Sequence, residues 1–222
     1  MTFSDPDRDF DSEYLSLIGK KPLGDYSAYD WVNIFQCQCA LGTFEETVIL
    51  VDDAVKFVQS RRKGYFDVFI RILEWLECYD EKLNSLGLAV RYVDNVVAIV
   101  DSYFNDYIVV ENGGVNYPLG GDVICRAFRA SQSFNRLRDS LQKLNVFKCI
   151  PATFVHAAWL IELECFVREG WVSSYTLFRD ENWREAAFSR AYDIVVSAII
   201  QEDGRIECRH LASKIQENYI GV

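Results

Sequence analysis

DWVNIFQCQCALGTFEETVILVDDAVKFVQSRRKGYFDVFIRILEWLECYDEKL, residues Asp30 to Leu83, decides the fold class of this chain. Two apolar stripes at helical spacing lie inside it. Phe44, Val48, Val51, Val55 and Val58 recur at steps of four and three, the pattern of an amphipathic helix. Thr43 stands before them as a helix cap, and Glu45 and Glu46 fall in the first turn, where carboxylates complement the helix dipole. Phe66, Phe69, Ile70, Leu73 and Leu76 form the second stripe, following Gly64.

Outward from this run the helical reading continues. Val93, Val96, Val97, Val100, Phe104 and Tyr107 make a third stripe between Gly87 and Asn112-Gly113-Gly114, too long for a strand despite its β-branched content. Residues 112 to 121 carry four glycines and Pro118, the strongest punctuation in the chain, and read as a linker. Beyond them Val123, Ala127, Ala130, Phe134, Leu137, Leu141 and Leu144 predict one long amphipathic helix. Pro151 opens a helix that is apolar on most sides, through Phe154, Val155, Ala158, Trp159, Ile161 and Leu163, and Gly170 closes it. Helices around 182–201 and 206–219 follow, with Asp203-Gly204 as the turn between them. The expectation is an all-α chain of roughly eight or nine helices with no strand. Its organisation is an acidic N-terminal arm over 1–24, a first helical repeat over 25–112, a Gly-rich linker over 113–121 and a second helical repeat over 122–222.

Composition sets the outer limits. Of 222 residues half are hydrophobic and only four are proline, so a sizeable core is expected rather than disorder. The formal net charge is -10, with Asp5, Asp7, Asp9, Asp11 and Glu13 crowding the start as a solvated, partly disordered arm. An acidic chain with no basic run is disfavoured on nucleic acid and on anionic membranes. No apolar run approaches the ~20 residues of a membrane span. Met1-Thr2-Phe3-Ser4-Asp5 has no basic region leading into an apolar one, so no signal peptide is expected. Seven cysteines is an odd count without framework spacing, which predicts free thiols, buried in the core, in a reducing compartment. The expected location is intracellular, nuclear or cytoplasmic.

No catalytic or cofactor motif emerges. The glycines of 113–121 lack phosphate-loop spacing and a preceding strand, and no His-Glu-x-x-His or nucleophile elbow occurs. Cys37 and Cys39 form a lone Cys-x-Cys, with only His156 and His210 to complete a zinc site, so no metal is expected. A thiol nucleophile would draw on Cys149 or Cys165 with His156, or on Cys208 with His210, but these segments read as buried helix. Asp52-Asp53 and Glu162-Glu164 read as helix surface. The chain is expected to be no enzyme and to carry no cofactor.

Several runs carry a family resemblance. Tyr29-Asp30-Trp31-Val32 opens the first helix, Glu46-Thr47-Val48 leads to Val55-Lys56-Phe57-Val58, and Phe66 to Leu76 is followed by Glu77-Cys78-Tyr79-Asp80-Glu81. Tyr117-Pro118 with Asp122-Val123 makes a turn into a helix. Ile150-Pro151-Ala152-Thr153-Phe154-Val155-His156-Ala157-Ala158 starts the apolar helix, and Ile199-Ile200-Gln201-Glu202-Asp203 runs into 205–219. In this order the segments resemble a tandem cyclin box of the D-type or viral kind, over about residues 25 to 220. The resemblance implies a cyclin-like regulatory protein, of cell-cycle or host–virus character, that binds a cyclin-dependent kinase and modulates its activity. The residues it points to are Phe66, Asp67, Tyr79, Glu81 and Asp94. Tyr79 replaces the family's kinase-binding lysine, and Gly24 to Ala28 lack its Met-Arg-Ala-Ile-Leu docking patch, of which Trp31 alone remains. A second resemblance is carried by Leu177-Phe178-Arg179-Asp180-Glu181-Asn182-Trp183-Arg184, similar to the first homology motif of B-cell-lymphoma-type apoptosis regulators without its glycine. It implies a groove for an amphipathic partner helix.

Overall fold

A computed structural model describes residues 3–5, 10–37, 41–168, 180–201 and 204–220, with the side chains of 112, 145, 165–168 and 217–220 excepted. Cys39, Gly170, Asp203 and the Leu177-Phe178-Arg179 part of the second resemblance lie outside these residues. The chain is predominantly helical, as its periodicity predicts. Its contacts divide it into two compact units, Met1–Ile99 and Val100–Val222. The division falls inside a helix, upstream of the 113–121 stretch expected as the linker.

The first unit begins with α1 (Ser12–Lys20), capped by Asp11, whose carboxylate accepts from the Tyr14 N–H at 2.7 Å. Within 1–24, expected as an acidic arm, residues Ser12–Lys20 are helical. Ile18 and Phe3 are buried, and the Tyr26 hydroxyl donates to the Ile18 carbonyl at 3.1 Å. Then come α2 (Ala28–Ile34), α3 (Phe44–Thr47), a 3-10 turn over Val48–Leu50, α4 (Val51–Gln59), α5 (Tyr65–Cys78), α6 (Asp80–Ser85) and α7 (Ala89–Phe104). The stripe from Phe44 to Val58 is therefore two helices bridged by the tighter turn, not one continuous helix.

Helix α5 packs against α2, α4 and α6 and forms the spine of this unit. It buries Val68, Phe69, Ile72, Leu73, Trp75 and Leu76, each contributing about 1.5–3 kcal/mol relative to exposure. Phe66 and Ile70, which the periodicity assigned to the buried stripe, sit at its half-exposed edge. A chain of ring contacts crosses the unit, from Trp31 to Phe35 (6.3 Å, stacked), Phe35 to Trp75 (5.5 Å, edge-on) and Trp75 to Phe44 (5.5 Å, stacked). Such pairs add about 0.5–1.5 kcal/mol each beyond the area they bury.

The second unit contains the main departures from the periodicity. Strands β1 (Val109–Asn112) and β2 (Val115–Pro118) pair antiparallel, Val109 opposite Pro118 and Asn112 opposite Val115. The residues expected as linker and the chain expected to hold no strand thus supply a hairpin. Gly113 and Gly114 form its two-residue turn at φ 60° and 82°, the positive-φ geometry that matches strand twist and that side chains resist. The long helix predicted from Val123 to Leu144 is broken into α8 (Gly121–Ala130) and α9 (Asn135–Leu141) by the turn over Ser131–Phe134. The Ser131 hydroxyl donates to the Phe128 carbonyl at 2.7 Å, competing with continuation of the helix.

After a 3-10 turn over Asn145–Phe147 come α10 (Phe154–Arg168), α11 (Glu181–Gln201) and α12 (Ile206–Ile220). Thr153 caps α10, its hydroxyl accepting from the His156 N–H at 3.2 Å. Helix α10 buries Ala157, Ala158, Trp159, Leu160, Ile161 and Leu163 and packs against α11 and α12. Its apolar character on most sides follows from neighbours on more than one face. Among the described residues, no helix is long and apolar enough to cross a membrane.

Candidate functional site

An open concavity of the first unit that includes an anticipated binding residue is a groove between α2 and α5. Ala28, Tyr29 and Val32 line one wall, and Asp67, Ile70, Arg71 and Glu74 the other, around about 420 Å³. Each wall is held by its own local chemistry. At the start of α2 the Ser27 hydroxyl accepts from the Asp30 N–H, and Asp30 Oδ2 accepts from the Ser27 N–H at 2.7 Å, a reciprocal capping box. The buried Asp30 carboxylate also accepts from Lys21 Nζ at 2.6 Å and from the Tyr14 hydroxyl at 3.2 Å. Tyr14 in turn accepts from Asn33 Nδ2 at 3.2 Å, which ties α1 to α2.

These contacts fix the protonation states beneath the groove. Burial raises the Asp30 pKa, but the Lys21 ammonium and the two Ser27 donors outweigh it and hold the carboxyl below its ordinary value. Burial, with the Asp30 charge beside it, pushes the Tyr14 phenol up to about 12. On the other wall Arg71 pairs with Glu74 at 2.8 Å, one turn apart on a half-exposed face. Asp67 stands exposed at the entrance beside the strongly exposed Tyr29 ring. The groove therefore offers an apolar floor, Val32 and Ile70, between carboxylates.

The five anticipated residues do not gather in one place. Phe66 and Asp67 lie in the first turn of α5, and Tyr79 follows its last residue, about 20 Å away along the axis. Tyr79 packs on Phe44 (5.0 Å) and Trp75 (5.1 Å), and burial raises its phenol above the ordinary value. Beside it Lys82 Nζ pairs with Glu45 at 2.7 Å and lies 4.0 Å over the Phe44 ring. Glu81 is exposed in the first turn of α6. Asp94 is exposed on α7; its neighbours Arg91 and Asn95 both engage Asp52 of α4, Asn95 Nδ2 at 3.0 Å. Only Asp67 among the five borders the groove.

The second unit holds a polar cluster that the sequence reading missed. Glu162, assigned to helix surface, is buried. Its Oε1 accepts from the Tyr107 hydroxyl at 2.7 Å and from His210 Nε2 at 2.7 Å, with His210 buried as well. The cluster joins α12, α10 and the segment leading into β1, where Tyr107 stands two residues before the strand. Burial, and next the Glu162 charge, push the Tyr107 phenol far above its ordinary value. The signal was present in the sequence: Glu162 is flanked by Ile161 and Leu163 inside a helix that is apolar all round, where an acid requires partners. Glu162 also reaches a cavity of about 220 Å³ with Trp159, Asp122, Cys125 and Lys214 on its walls.

The thiols also depart from expectation. Cys37, Cys78 and Cys149 are exposed, Cys125 is half-buried, and of the described thiols Cys208 alone is buried. The side chain of Cys165 lies outside the described residues. His156 Nε2 donates to the Val146 carbonyl at 2.9 Å, and His210 engages Glu162, so each imidazole has a partner other than the thiol considered for it. Among the described residues no group of three or more His, Cys, Asp or Glu is placed to hold a metal ion. No protein-family model, curated protein or solved structure matches the chain.

Proposed function

We propose that this chain is a cyclin-like regulatory protein that binds a cyclin-dependent kinase, and that the groove between α2 and α5 takes a segment of that partner. The observation that carries the reading is the groove itself, built on two packed helices of the first unit with Asp67 on its lining. Its chemistry favours one kind of occupant. Glu74 is paired with Arg71, so Asp67 leaves one net negative charge beside an apolar floor, and a segment with a basic residue beside an apolar one is complementary in both respects. Binding of this kind biases a mobile kinase element by favouring the state that fits.

The test is direct binding to purified cyclin-dependent kinases, with the full chain immobilised. Retention of at least one kinase is expected, weakened tenfold or more by Asp67→Arg, whose exposed side chain leaves the fold intact. Asp94→Arg reports separately on the α7 face. Absence of binding across the panel, or binding indifferent to both reversals, refutes the proposal.

A further inference from the structure

Cys37 lies three residues past the end of α2, and Cys78 is the last residue of α5. The two helices pack together, and the Phe35–Trp75 ring contact at 5.5 Å sets the ends of both side by side. The Cys78 side chain neighbours the Cys37 thiol, and both residues are exposed. A chain with free thiols has no structural need for two of them in contact at its surface. From this geometry we infer that Cys37 and Cys78 are a modification site, a vicinal dithiol that a hydroperoxide oxidises to a disulfide linking the ends of α2 and α5.

The chemistry balances without further reagents. The Cys78 sulfur attacks the distal peroxide oxygen, the O–O bond breaks, and a sulfenic acid and an alcohol (water, from hydrogen peroxide) result. The Cys37 sulfur then attacks the Cys78 sulfur, the S–OH bond breaks, and water leaves with the Cys37 proton. Two thiols lose two electrons and the peroxide gains them. The order of attack follows from the surroundings. Desolvation by its neighbours, then the Cys78 side chain, push the Cys37 thiol up to about 12, so Cys37 is the thiol that keeps its proton. Cys78 is thus the attacking thiol and Cys37 the resolving one. The bond would close the chain from 37 to 78 into a loop and stabilise the folded state chiefly by restricting the unfolded one. The inference is independent of which partner the groove takes.

The experiment exposes the reduced full chain to hydrogen peroxide, blocks residual thiols, and maps peptides by mass spectrometry without reduction. The expected product is an intramolecular Cys37–Cys78 link, reversed by dithiothreitol, with the oxidised protein melting several degrees above the reduced one. Cys37→Ser should leave a sulfenic acid on Cys78 that dimedone traps, and peroxide should no longer raise its melting temperature. A link from Cys37 or Cys78 to Cys39, an intermolecular link through Cys149, or unlinked thiols under conditions that oxidise Cys149 overturns the inference.

Discussion

Replacing Gly64 by alanine tests the close approach on which the groove depends. Gly64 caps α5 at φ 82°, and a Cβ built there lies 2.4 Å from the Ala28 Cβ at the start of α2. Two methyl carbons pack at about 3.5–4.0 Å, so the helix starts must separate by more than about 1 Å. Overpacking of this kind costs about 1–3 kcal/mol, and a side chain in the left-handed region costs about 1–2 kcal/mol more. Gly64→Ala should therefore destabilise the protein by about 2–5 kcal/mol. Gly87 supplies the control. Its φ is 71° and nothing lies within 4 Å of an added Cβ, so Gly87→Ala carries the backbone strain without the clash. Any restriction of the unfolded chain is common to both variants and cancels between them. Urea unfolding followed by tryptophan fluorescence is the assay, since Trp31 and Trp75 are buried in this unit. Ala28→Gly removes the other carbon of the clash. In a double-mutant cycle it should return the steric share, about 1–3 kcal/mol, to Gly64→Ala. If Gly64→Ala costs no more than Gly87→Ala, or if Ala28→Gly gives no rescue, the packing of α2 on α5 described above is wrong.

Four further outcomes are expected. Asp30 and Glu46 both have folded pKa values below their ordinary ones, because the donors around them, Lys21 and Ser27 at Asp30, Ser4 and Thr43 at Glu46, outweigh burial. Their contribution is therefore full above about pH 5 and is lost as pH falls through the folded values. Asp30→Asn and Glu46→Gln should flatten the acid limb of stability against pH, and an unchanged limb in both refutes the assignment. Tyr107 has the opposite sign: its raised pKa makes its contribution disappear above about pH 10, and Tyr107→Phe should remove that alkaline loss. Glu162→Leu strands the Tyr107 hydroxyl and the His210 imidazole in the interior, at about 1–3 kcal/mol for each group, whereas Glu162→Gln retains an acceptor and should cost less. Equal losses for the two variants in urea unfolding would show that the hydrogen bonds do not matter. In the native protein Cys78 and Cys149 should react with a thiol reagent and Cys208 only after denaturation; fast native labelling of Cys208 contradicts its burial.

Local chemistry made much of the fold legible. Thr43 before Glu46 is a capping box in the sequence and in the structure, because both partners lie within one turn. Helices α5 and α7 fall where their periodicity puts them, save that Tyr107 lies past the end of α7, since an apolar stripe at helical spacing has few other ways to be buried. The candidate groove was legible only through Asp67. Its floor, Val32 and Ile70, reads as core in any periodicity count, because the pattern says that a residue is apolar and not how far its neighbours cover it.

The sequence by itself determined a helical, acidic chain with capped amphipathic segments, because caps, stripes and charge are properties of neighbouring residues. Only the tertiary structure decided which part of each stripe is covered, that Gly113-Gly114 turns a hairpin, and that Glu162 meets Tyr107 and His210 in the interior. It alone set Cys37 beside Cys78. The physical reason is common to all of these. They depend on contacts between residues tens of positions apart, and their energies exist only once the helices have packed.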